Sequence, residues 1–187
     1  MTAGIITIII VAVVVFYLIG IYNSLVKLRI RRENAFADID VQLKQRHDLI
    51  PQLVNTVKGY MKHEEGVLVK VTEARSQAMR ASGIDEKIAA EKQLSSALSG
   101  LRIQLEAYPD LKANTNFMHL QQEISDIENK LAAVRRFFNS ATKELNTAIQ
   151  VFPNVLIAGM FGFKTEPMFD LGEERSTAQK APDINFN

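Results

Sequence analysis

The chain opens on an unbroken apolar run and then changes to a helical period. Ile5 to Ile21 is apolar apart from Thr7, Gly20 and the amphipathic Tyr17, Tyr22 follows it, and no charged side chain occurs between Met1 and Val26. With its uncharged flanks the run reaches the roughly 20 residues that cross about 30 Å of hydrocarbon. A cleavable signal peptide would carry a basic stretch ahead of the run and a small-residue cleavage site behind it. Neither is present, and the chain continues directly into Lys27, Arg29, Arg31 and Arg32. Residues 1–26 are therefore read as an uncleaved transmembrane anchor.

Past the anchor, Phe36, Ile39, Leu43, Ile50, Leu53, Val57 and Tyr60 recur on alternating three- and four-residue steps, with Arg46 the one break. Such a stripe is the seam of a helix packed at about +20° on its neighbours. It predicts a helix running to about Lys62, kinked but not ended by Pro51, which removes one backbone bond and crowds the carbonyl of His47. A second long helix is predicted from Phe117, Leu120, Ile124, Ile127, Leu131, Val134, Phe138, Ala141, Leu145, Ala148 and Phe152, with Asn114 or Asn116 as its cap and Pro153 as its stop. Between them, Val67, Val71, Ala74 and Ala78 give one short helix closed at Ser82-Gly83. Ile84, Ile88, Leu94, Leu98, Leu101 and Leu105 give another, closed at Tyr108-Pro109. No stretch alternates in the manner of a strand. The economical fold is all-α, a transmembrane helix followed by a long antiparallel up-and-down four-helix bundle over residues 27–171.

On that path the last helix returns towards the bilayer, bringing residues 152–164 with it. This segment is too short and glycine-interrupted to span and too apolar for an ordinary loop. Two readings stand: a cap over the bundle end, or a contact surface for membrane or partner formed by Leu156, Ile157, Met160, Phe161 and Phe163. Residues 172–187 are rich in Gly, Glu, Ser, Gln, Lys, Pro and Asn and are read as a flexible tail.

Charge adds an orientation. Lys27, Arg29, Arg31 and Arg32 all follow the span, so the positive-inside rule places the bundle in the cytoplasm and the N-terminus outside. The same four cations suit anionic lipid headgroups, or serve as a topology signal alone. A formal net charge of +1 argues against nucleic acid as a partner, and the absence of cysteine excludes disulfides, thiolate zinc sites and cysteine nucleophiles. His63-Glu64-Glu65-Gly66-Val67 lacks the second histidine of a zinc-protease helix. His47, beside Asp48, and His119 are read as surface or packing residues. Arg46 on an apolar seam must reach solvent or find a carboxylate, and its expected role, with Pro51, is to fix bundle register. No cofactor, metal or catalytic residue is expected. Gly20 and Ser24 have the small-xxx-small spacing that lets transmembrane helices approach closely, so self-association is expected.

Several separated motifs then resemble one family. They are Tyr22-Asn23-Ser24-Leu25-Val26, Ala35 through Lys44, Arg46-His47-Asp48-Leu49-Ile50-Pro51, Val57-Lys58-Gly59-Tyr60, Glu128-Asn129, Arg135-Arg136 with Phe138-Asn139, and Phe152-Pro153-Asn154 through Phe163. In this order they resemble the bacterial LemA family over roughly residues 5 to 170. The resemblance implies a single-pass inner-membrane protein with a cytoplasmic helical bundle and no established enzymatic role. It further implies partners among membrane metalloproteases or other envelope proteins, and hence a scaffold or adaptor. Phe36 and Phe138 stand where that family leads one to expect Trp and Tyr.

Overall fold

The computed structural model describes residues 2–61 and 64–170. Among them every regular element is helical: α1 (Thr2–Lys58), α2 (Glu65–Arg80), α3 (Ile84–Leu105), α4 (Pro109–Lys112), α5 (Thr115–Gln150) and α6 (Asn154–Met160). The tail expected at 172–187 and His63 lie outside the described residues.

Helix α1 is 57 residues long, about 85 Å at 1.5 Å per residue, and it continues without a break past residue 26. Its first third holds a stretch long and apolar enough to cross a membrane, with 6% of that window buried inside the chain. Thr7 is a polar exception there, and its hydroxyl donates to the Ala3 carbonyl at 3.0 Å, so that donor is satisfied within the helix. Pro51 sits inside α1, and the helix passes through it.

The other helix ends have local causes. Gly83, at φ 84° and ψ 159°, occupies a backbone region almost closed to side-chain-bearing residues, which ends the path of α2 and starts α3. Glu86 accepts from the Ser82 N–H at 2.9 Å and holds that turn. Asn114 caps α5: its side-chain oxygen accepts from the Phe117 N–H at 3.1 Å, a contact worth about 0.5–2 kcal/mol. Pro109 opens α4, where a missing N–H costs nothing. The sequence pattern did not predict α4 or α6.

The described residues fall into two compact units, 2–39 with Val134–Met168, and 40–133 with 169–170. The first holds portions of α1 and α5 together with α6. Its pairs Phe36–Phe138, Arg32–Thr142 and Arg31–Glu144 show those two helices running in opposite directions. The rings of Phe36 and Phe138 meet edge to face at 5.4 Å, both buried, so two phenylalanines fill the site expected to take a larger pair. A small core of Ile21, Leu25, Leu145, Ile149, Ile157, Ala158 and Phe163 completes this unit.

The second unit contains α2, α3 and α4 entire. Its core is larger and mostly aliphatic, built from Ile50, Leu53, Val57 and Met61 of the α1 side, Leu68 and Val71 of α2, Leu94, Leu101 and Leu105 of α3, with Leu111 and Phe117. Tyr60 and Phe152, the last positions of the two long stripes, are exposed, and their neighbours Met61 and Ile149 are buried instead. A continued 3.5-residue count overshoots where the helix itself ends.

Candidate functional site

In the second unit the break in the α1 seam is a buried polar cluster. Arg46 is 3% exposed and Glu91, on α3, is 1% exposed. The Arg46 guanidinium lies 3.5 Å from the Glu91 carboxylate, donates to the Ser95 hydroxyl at 3.1 Å and reaches Glu128 of α5 at 3.7 Å. His47 Nε2 meets the other Glu91 oxygen at 2.5 Å. One carboxylate therefore serves two neighbouring residues of α1, and α1, α3 and α5 are tied at one level. A slip of any of these helices would leave a buried charge without its partner in low dielectric.

Pro51 belongs to the same site. With no N–H of its own, it leaves the His47 carbonyl without its intrahelical donor. Arg75 of α2 donates its Nε–H to that carbonyl at 2.7 Å. Arg46 and Pro51, the two residues read for register, thus both lie at contacts between helices: Arg46 with α3 and α5, and the carbonyl that Pro51 frees with α2. Sequence reading missed Glu91, Ser95 and Arg75. A signal for Glu91 existed, since the α3 stripe steps from Ile88 to Leu94 over one vacant three-or-four position, and Glu91 fills it.

The chemistry of this cluster is cohesive. Ser95 accepts from Arg46, and His47 faces Glu91, so hydroxyl and imidazole are engaged with other partners. Arg46, His47, Glu91 and Ser95 are all buried. Beside them opens a cavity of about 370 Å³, lined by Arg46, Ser95 and Glu128 at its polar side and by Ile50, Leu53, Leu98, Leu101 and Leu105 at its apolar side. Elsewhere in the unit Tyr108 donates to Glu64 at 3.1 Å. Desolvation of the phenol first, then that hydrogen bond and the Glu64 charge, push its pKa above 10.0. His119 stands exposed with Glu123 one turn on at 3.4 Å. Among the described residues no group of three or more His, Asp or Glu is placed to hold a metal ion.

In the first unit the four cations after the apolar run have different surroundings. Arg32 is buried: it pairs with Glu166 at 3.2 Å, donates to Thr142 and to the Pro167 carbonyl at 3.3 Å each, and lies 5.0 Å from the Phe138 ring. Arg31 is half exposed and bonds Glu144 at 2.5 Å. Arg29 lies 4.1 Å over the Phe163 ring, and Lys27 is exposed. Lys27, Arg29 and Arg31 are thus near solvent, whereas Arg32 is committed inside the protein. The segment named for contact divides in the same way. Ile157 and Phe163 are buried in the small core, and Leu156, Met160 and Phe161 are exposed. Asn146 anchors the chain beyond, accepting from the Glu166 N–H and donating to its carbonyl, both at 2.8 Å.

The chain is 27% identical to Protein LemA of Metamycoplasma hominis, over 84% of this chain and 73% of that protein. It is also 21% identical to the magnetosome protein MamQ of Magnetospirillum gryphiswaldense, over 79% of this chain, and it spans 64% of MamQ's length. A family model matches residues 35–186, from the start of the α1 seam through the buried cluster and α6, and by that match the chain belongs to the LemA family.

Proposed function

We propose that the chain is a membrane-anchored, non-enzymatic scaffold or adaptor that self-associates in the bacterial inner membrane, with its N-terminus outside and its helical units in the cytoplasm. The observation that carries this reading is the nakedness of the apolar run. An 18-residue window of α1 is only 6% buried within the chain, so its surface is available to lipid and to other copies. Gly20 lies on that surface, and a methyl group added there meets nothing of this chain within 4 Å. The charge asymmetry of Lys27, Arg29 and Arg31 supports the orientation. The buried cluster supports a mechanical role, because it joins helices and offers no accessible nucleophile and base.

A second reading, an accessory subunit of a membrane enzyme such as a metalloprotease, draws on the exposed apolar side chains around α6. Particle size in mild detergent separates the two. Homogeneous multimers that shrink when residues 1–26 are deleted support the scaffold. A monomer that co-purifies from native membranes with a protease moves the accessory subunit into its place.

A further inference from the structure

Helix α6 has two apolar faces, and the protein covers one. Ile157 and Ala158, with Phe163, pack on Ile21, Leu25, Leu145 and Ile149. On the other side Leu156 is 59% exposed, Met160 77% and Phe161 57%, and the preceding Phe152 is 80% exposed. Leu156 and Met160 are one helical turn apart and form a single ridge. So many large apolar side chains exposed within one short stretch mark a contact surface, in contrast to lone exposed residues.

Position identifies the contact. The Phe161 ring lies 4.8 Å from Tyr22 and the Phe163 ring 6.0 Å from it. Tyr22 is the residue that directly follows the apolar run, the level at which amphipathic rings collect at a membrane–water boundary. Exposed Phe161, next to Met160 in the chain, therefore lies at the level where the naked apolar surface of α1 ends. Charge agrees: no charged side chain occurs from Phe152 to Phe163, Lys164 follows, and Arg29 lies over the Phe163 ring. Cations around an apolar ridge suit a surface of anionic headgroups over acyl chains.

We propose that the exposed face of α6, with Phe152 and Phe161, seats in the headgroup–acyl boundary as a second bilayer contact of the first unit. The proposal rests on the reading of α1 as a membrane span and adds to it. A single helix in lipid is free to rotate and tilt; a seat packed on Ile21 and Leu25 fixes both and holds Lys27 and Arg29 at the headgroups.

The absence of native cysteine makes the test direct. Full-length Met160→Cys, Val13→Cys and Asp38→Cys proteins are nitroxide-labelled and reconstituted in phosphatidylcholine–phosphatidylglycerol vesicles. Power saturation then compares accessibility to oxygen with accessibility to a water-soluble nickel chelate. Asp38 is the aqueous reference, about 24 Å beyond Tyr22 along α1. The expected oxygen-to-nickel ratio at Met160→Cys is several-fold above that at Asp38→Cys and approaches that at Val13→Cys. A lipid-like Val13→Cys with an aqueous Met160→Cys overturns the seat and leaves the span intact. Aqueous values at both overturn the span and the seat together. Spin–spin broadening at Met160→Cys that grows with protein density, without lipid accessibility, assigns the ridge to a second copy and overturns the proposal as well.

Discussion

Two buried arginines on one helix show how differently the two units are held. Arg46, in the second unit, pairs with a Glu91 side chain that is 2% exposed and is itself shared with His47. Arg32, in the first, pairs with a Glu166 side chain that is 33% exposed and follows the last helix. Arg32 gains further support from Thr142, the Pro167 carbonyl and the Phe138 ring, and Arg46 from Ser95 and, at 3.7 Å, from the half-exposed Glu128. The lesson is one of dielectric. An ion pair wholly inside a helical core must be complete, whereas a partly solvated one is screened and tolerates loss. The second unit holds its pair out of solvent; the first leaves one partner of its pair partly exposed.

The largest effect that tests this contrast is at Glu91. Glu91→Leu removes the buried carboxylate that Arg46 and His47 share, leaves Arg46 only Ser95 and the half-exposed Glu128, and should cost about 3 kcal/mol in urea unfolding of the detergent-solubilised protein. Replacing Arg46 by Met in the same chain should recover much of that loss. A neutral Glu91→Leu variant would break the comparison outright.

Next in size is the bond that Pro51 makes necessary. Arg75→Ala leaves the His47 carbonyl without its donor and should cost about 1–3 kcal/mol. In a Pro51→Ala background position 51 regains an N–H for that carbonyl, and the cost of Arg75→Ala should shrink. A double-mutant cycle with zero coupling would show that Pro51 and Arg75 act independently. Smaller again, Glu166→Gln should change stability by no more than about 1 kcal/mol, and by less at high salt.

The smallest effect is a pH dependence. The folded Tyr108 pKa is raised above 10.0, so its contribution is fully present below pH 10. It is lost as pH rises through 10 towards the folded value, because the unfolded chain releases the proton first. Tyr108→Phe should flatten this part of the stability profile, and an unchanged slope would contradict it.

Much of this was legible in the sequence because the two long stripes follow one physical rule. Apolar residues at three- and four-residue steps gave both long helices, and Asn114 and Pro153 marked the limits of the second. Arg46 stood out because it broke a stripe. Glu91 broke one too, but it was hidden by its neighbour Leu94, and a carboxylate on a helix is ordinarily solvated. Arg75 was out of reach: it serves a backbone carbonyl, and which carbonyl lies opposite depends on how α2 packs against α1. The C-terminal segment was recognised as apolar, but its division into a buried and an exposed face needed α6. That seven-residue helix is too short to show a period.

The proposed crossing of the membrane by α1, with the helical units left in the cytoplasm, can be tested chemically. Thr2 precedes the apolar run, and Gln104 lies exposed on α3 in the second unit. Single-cysteine variants Thr2→Cys and Gln104→Cys, treated in intact spheroplasts with a membrane-impermeant maleimide, report the two sides separately. Thr2→Cys should label before lysis and Gln104→Cys only after it; labelling of Gln104→Cys in intact spheroplasts would put the helical units on the outer side.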